Sequence, residues 1–142
     1  MFTITTIGDT KLINNVLDRL QYIMDKSMNT YLNLVSIDLD YKYRSMVLNR
    51  SDLIFGVPLS SSHIKQYIDD FNMMDDRNKS KYLLIIPSIN KDICEDDQVL
   101  LYNVSMMNSY INYCMHYDAG FILDTVIRYF SMKKRGLIEN DK

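Results

Sequence analysis

The sequence predicts an α+β protein with a mixed or antiparallel sheet of about four to five strands, packed by an N-terminal helix and a helical C-terminal third. Strand-type patterns are concentrated in the first two thirds of the 142-residue chain, whereas helical patterns dominate the end. A long amphipathic helix separates the first two strand patterns. Because such a helix can connect parallel strands, a three-layer α/β fold is the alternative.

Length and composition are those of one globular domain covering residues 1–142. Hydrophobic residues make up 47% and charged residues 24% of the chain, and its 4 Gly and 2 Pro argue against long linkers. No apolar run approaches the roughly 20 residues that cross a bilayer. The N-terminus also lacks the basic stretch and apolar core of a signal peptide. We therefore expect a single domain with no membrane partner.

The cysteine content and the net charge exclude further classes of protein. The 2 Cys and 2 His of the chain are too few for a disulfide framework or a convincing zinc site, which favours a reducing, cytoplasmic location. We expect no metal and no other cofactor. The net charge of -2 argues against general coating of nucleic acid, so any RNA contact has to be local.

The first half of the chain is predicted to hold one helix and four strands. Apolar residues at spacings of three and four predict the helix over residues 11–28. Alternating or continuous apolar patterns predict strands at residues 2–7, 32–40, 44–48 and 52–59. The alternation changes phase around Val35, which predicts a bulge there. Residues 49–51 predict a hairpin turn between the third and fourth strands.

The second half is predicted to be mainly helical. Serines that can cap a helix precede an amphipathic pattern at residues 63–73. A charged loop at 75–80 separates it from a buried strand at 82–86. Two further helices are predicted at 96–115 and 120–134, and Gly136 provides a C-cap for the last one.

Two carboxylates in the strand predicted at 32–40 are a weak candidate site. Asp38 and Asp40 alternate, so both would point to one face and could hold Mg²⁺ together with a phosphate. The simpler interpretation is the solvent face of a half-buried strand.

The segment from Arg44 to Lys65 contains the strongest candidate for catalysis. Ser60 follows a predicted strand, and His63 and Lys65 come shortly after it. Metal-free RNA cleavage needs a base for the 2′-hydroxyl, an acid for the leaving oxygen and cations near the phosphorane. From the residues alone, the simpler interpretation is that the serines cap a helix and that His63 and Lys65 lie exposed on its first turn.

This segment resembles the core of the MazF/PemK and ToxN-like endoribonuclease toxins over about residues 37–87. Those families have an Arg that opens one strand and a second strand that ends in Pro-Leu-Thr/Ser-Ser. Here Arg44 and Ser60 stand at those positions, although Ser45 follows where the MazF pattern usually has Pro. The resemblance implies a metal-independent toxin–antitoxin endoribonuclease that cleaves single-stranded RNA and leaves a 2′,3′-cyclic phosphate.

The same resemblance implies a role for each matched residue. Ser60 and Arg44 would stabilise the phosphate, and His63 or Lys65 would act in acid–base or electrostatic roles. RNA or an antitoxin would be the partner, and a homodimer is left open.

A non-enzymatic function is the alternative hypothesis. Tyr110, Tyr113 and Tyr117 follow helical spacing in a Met- and Tyr-rich region, which suits an adaptable protein interface. Abundant residues with AT-rich codons fit a virus, phage or mobile element, so the partner would be a host factor that the protein inhibits. The rim of the core is the simpler interpretation of these tyrosines. Sequestration of a small ligand is also open, because any such domain can hold a pocket.

Overall fold

The computed structural model describes residues 1–8, 10–58, 63–85 and 119–136. This part of the chain contains four strands, which are β1 (Phe2–Gly8), β2 (Leu32–Ile37), β3 (Leu53–Val57) and β4 (Tyr82–Leu84). They form one sheet in the order β2-β1-β3-β4, and every pairing is parallel. The predicted mixed or antiparallel sheet is therefore wrong, and the fold is the α/β alternative.

Helices alternate with the strands along the described chain. A 3₁₀ turn (Lys11–Ile13) leads into the first helix, and the helices are α1 (Asn14–Met28), α2 (Arg44–Asn49), α3 (Ile64–Met73), α4 (Asp76–Lys79) and α5 (Ala119–Lys134). The helices predicted at 11–28, 63–73 and 120–134 are confirmed. The strand predicted at 44–48 is wrong because these residues form α2, and the loop predicted at 75–80 contains α4. The helix predicted at 96–115 lies outside the described residues.

The strand order explains how the helices are divided between the two faces. The chain moves from β1 to β2 in one direction and then crosses back over β1 to β3. Because connections between parallel strands are right-handed, this reversal puts α1 on one face and α2 and α3 on the other. The buried clusters agree, since Leu20 of α1 and Val126 of α5 share one cluster, and Leu48 of α2 and Phe71 of α3 share the other.

Strands β3 and β4 are buried along their whole length. All five residues of β3 are buried, and so are all three of β4. A continuous apolar strand is typical of a parallel sheet covered by helices on both sides. At Gly56 an added Cβ would lie 2.0 Å from the Tyr82 hydroxyl oxygen, so glycine lets this ring pack against β3.

Strand β2 is regular and shorter than predicted. Its pairing with β1 continues without interruption through Val35, which lies opposite Thr5, so the predicted bulge is wrong. The strand ends at Ile37, and Asp38 and Asp40 lie beyond it, exposed in the following turn. Among the residues that the structure describes, no helix has the length and apolar character to cross a membrane.

Candidate functional site

At the carboxyl ends of β1 and β3, the connections that follow the two strands lead to opposite faces of the sheet. Gly8 at the end of β1 is in register with Val57 at the end of β3. The connection after β1 leads to α1 on one face, and the connection after β3 leads to α3 on the other. Where neighbouring connections diverge in this way, a crevice opens outside the strand ends, and open α/β sheets bind ligands there.

Gly8 is the last residue of β1 and lies at this edge of the sheet. Its φ of +111° lies in the region that glycine tolerates and other residues avoid. A Cβ at this position would lie 2.3 Å from both the Tyr67 hydroxyl oxygen and the Val57 carbonyl oxygen. Glycine therefore lets the first turn of α3 approach the end of β1 closely, without a side chain between them.

Two helix N-termini follow these two strand ends. Thr10 precedes the 3₁₀ turn that leads into α1, and His63 precedes α3, but neither side chain caps the helix after it. By contrast, the Asp75 carboxylate caps α4 by accepting the Asn78 backbone N–H at 2.8 Å. Helix N-termini present backbone N–H groups and a partial positive charge, so both starts favour an anion.

Basic side chains accompany both helix starts. Lys11 and Lys65 are exposed, and His63 is half-buried. Asp38 and Asp40 follow β2, which lies on the opposite side of β1 from β3. Across the described ranges, no group of three or more His, Cys, Asp and Glu side chains could hold a metal ion. The helix N-termini and the basic side chains beside them are suited to an anionic ligand.

Arg44 is committed to an ion pair on the helical face. It is the first residue of α2, and both terminal guanidinium nitrogens donate to the two Asp70 carboxylate oxygens on α3. The Asp70 side chain is only 9% exposed and that of Arg44 is 25% exposed. With a rise of 1.5 Å per residue, Asp70 lies about 10 Å along α3 from His63. The guanidinium is thus neutralised and held away from the start of α3.

The predicted site residues are only partly brought together. His63 and Lys65 share the start of α3, whereas Arg44 is held by Asp70. Ser60 and the tyrosine group (Tyr110, Tyr113 and Tyr117) lie outside the described residues. Their assigned roles stay predictions.

Sequence reasoning did not identify the contribution of the first loop. From the sequence alone, Gly8 and Thr10 belong to a turn pattern that can cap the following helix, and nothing in that pattern indicates a ligand. The signal that could have identified them is their position directly between a strand and a helix, because this is where parallel sheets place ligand-binding backbone.

Two solved structures are distantly similar to the chain. No family model matches the chain, and no curated protein matches it. The crystal structure of the lipase Lip_vut3 from a goat rumen metagenome is 10% identical, with 80% of each chain covered and a TM-score of 0.40. An NADPH-quinone reductase from P. pentosaceus is 12% identical, with 91% of this chain and 95% of that chain covered and a TM-score of 0.41. The class defined by the structure itself is an α/β domain with an open, all-parallel sheet.

Proposed function

We propose that this protein binds a small phosphorylated molecule at the carboxyl edge, in the crevice between β1 and β3, and acts by binding. The observation that carries the proposal is the position of two helix N-termini, neither capped by its N-cap side chain, after the two strands between which the connections diverge. The ligand is sequestered or sensed, and no step of bond cleavage is assigned to the protein.

A phosphate suits this edge better than a neutral group. Backbone N–H groups at a helix start donate to phosphate oxygens, and hydrogen bonds to a charged group are about twice as strong as neutral ones. Lys11 and His63 belong to the same two helix starts and add cationic or donor groups. Because the net charge of the chain is -2, the attraction is local to this edge.

Titration with related probes tests the proposal directly. We expect adenosine monophosphate and inorganic phosphate to bind in isothermal titration calorimetry, and adenosine to bind at least about tenfold more weakly because it lacks the phosphate. Lys11→Ala and His63→Ala should each weaken binding of the monophosphate about tenfold. Lys26→Ala is the matched control, since Lys26 is exposed in the last turn of α1, roughly 20 Å from Lys11.

Two outcomes would overturn this proposal. Equal affinity for adenosine and its monophosphate would remove the role of the phosphate. Loss of binding in Lys26→Ala equal to that in His63→Ala would place the ligand elsewhere.

The endoribonuclease hypothesis is a separate proposal, which the Arg44–Asp70 pair makes less favourable. Single-stranded RNA incubated with the purified protein in EDTA provides its test. Cleavage that is lost in Ser60→Ala and His63→Ala would support the ribonuclease and contradict binding without catalysis. RNA that stays intact at high protein concentration would exclude it. Arg44→Ala is unsuitable as a catalytic test because it leaves Asp70 without its partner.

A separate experiment tests the hypothesis that the protein binds and inhibits a host factor. A host factor that docks on the tyrosine group should be captured from host lysate by the intact protein, and Tyr110→Ala or Tyr113→Ala should abolish the capture. An antitoxin partner, a homodimer and a cytoplasmic location likewise stay predictions from the sequence.

A further inference from the structure

A cavity lies away from the carboxyl edge, between α2, α3 and α4. Its volume is about 370 Å³. That is about twelve times the roughly 30 Å³ that one water molecule occupies in the liquid, so the space suits a small organic molecule. Six polar residues line it, namely Arg44, Ser45, Asn49, Asp70, Asp75 and Asn78.

Among the residues that the structure describes, two buried polar atoms of the lining residues have no hydrogen-bond partner. One is the Arg44 Nε, a donor, and the other is the Asn78 Oδ1, an acceptor. Asn78 is only 5% exposed, and its other side-chain atom, Nδ2, already donates to the Asn49 Oδ1 at 2.9 Å. Buried polar atoms are nearly always paired in folded proteins, so a donor and an acceptor on one cavity point to an occupant with both functions.

The charges of the lining select among possible occupants. The Arg44 charge is already used by Asp70, and Asp75 adds a second carboxylate, so an anion would be repelled. An ammonium group has no lone pair to accept the Arg44 Nε–H. Hydroxyl groups donate and accept at once, and several of them on one small molecule can serve the carboxylates, the amides and Nε together.

The remaining lining suits the carbon skeleton of such a molecule. Met73, Met74 and Leu48 contribute apolar groups to the same cavity. Methionine side chains adapt to irregular shapes and pack well against C–H groups. We propose that this cavity binds a small neutral polyhydroxylated molecule of the sugar or cyclitol class.

The experiment is a titration of the ¹⁵N-labelled full chain with D-ribose, D-glucose and myo-inositol, followed by NMR. At least one of them should shift the amide signals of Ser45, Asn49 and Asn78 in a saturable way below about 50 mM. Tetramethylammonium and acetate serve as the cationic and anionic probes and should leave these signals in place. Absence of saturable shifts with all three polyols, or stronger shifts with tetramethylammonium or acetate, would overturn the proposal.

A blocking variant checks that the cavity itself is occupied. Ser45 is exposed at the rim, so Ser45→Phe should fill the space and weaken polyol binding at least about tenfold. Ser27→Phe is the matched control, because Ser27 is also an exposed helical serine and lies outside this lining. Equal affinity in Ser45→Phe and the wild-type chain would contradict the site. The wild-type shifts decide the question alone if Ser45→Phe does not fold.

Discussion

Replacing one partner of the Arg44–Asp70 pair should destabilise the fold far more than replacing both. Arg44→Met leaves the Asp70 carboxylate, which is only 9% exposed, without its guanidinium. Breaking a buried pair in this way costs about 3–5 kcal/mol, and we expect about 3 kcal/mol because Arg44 is 25% exposed. Asp70→Leu should cost less, since the longer Arg44 side chain can reach solvent.

The double variant carries the informative result. Arg44→Met with Asp70→Leu replaces both charges by apolar side chains, so its stability should lie within about 1 kcal/mol of the wild-type chain. Urea denaturation of all four proteins measures the free energies and the coupling between the two sites. Additive losses, or a cost below about 1 kcal/mol for Arg44→Met, would refute the reasoning. With such a result, Arg44 would again be a candidate for a functional cation.

Two further predictions concern the sheet. Gly56→Ala should lower the free energy of unfolding by about 1–3 kcal/mol in urea denaturation, because the new Cβ would meet the Tyr82 Oη at 2.0 Å. Adding Tyr82→Phe should recover part of this loss, and no recovery would contradict the stated cause. Asp52→Ala should lower the free energy of unfolding by about 2 kcal/mol and speed amide hydrogen exchange in α5. The Asp52 carboxylate accepts hydrogen bonds from the Lys133 Nζ at 2.6 Å and from the Thr3 backbone N–H at 2.7 Å. Unchanged exchange would show that this ion pair does not stabilise the packing of the helix.

Long periodic segments were predictable from the sequence alone. The apolar positions of residues 11–28 repeat every three to four residues, and the buried face of α1 includes Val16, Leu20 and Met24. Over several turns, this repeat is incompatible with a strand. The same reasoning located α3 and α5.

The class of sheet was mispredicted for a local reason. Residues 44–48 are too few to distinguish strand from helix, because Val47 and Leu48 fit either period. A strand at 44–48 implies a hairpin at residues 49–51, and therefore a mixed or antiparallel sheet. The continuous apolar run of Leu53–Val57 was the contrary signal, since a strand buried on both faces is typical of parallel sheets.

The candidate site was less accessible to sequence reasoning than the fold. His63 and Lys65 were identified and do lie together at the start of α3. The crevice depends on β1 and β3 being neighbours in the sheet, where the order is β2-β1-β3-β4 and Gly8 is in register with Val57. In the sequence, α1, β2 and α2 all lie between these two strands. No local sequence pattern predicts that β1 pairs with β3, so the position of Gly8 beside β3 follows only from the sheet order.

Phosphate binding at the carboxyl edge is the central claim, and amide-resolved NMR tests it most directly. Adding adenosine monophosphate to the ¹⁵N-labelled chain should shift the signals of Gly8, Thr10, Lys11 and His63 together, with one dissociation constant. Adenosine at the same concentrations should leave them nearly unchanged. Shifts confined to other parts of the chain, or none up to about 5 mM monophosphate, would contradict the account.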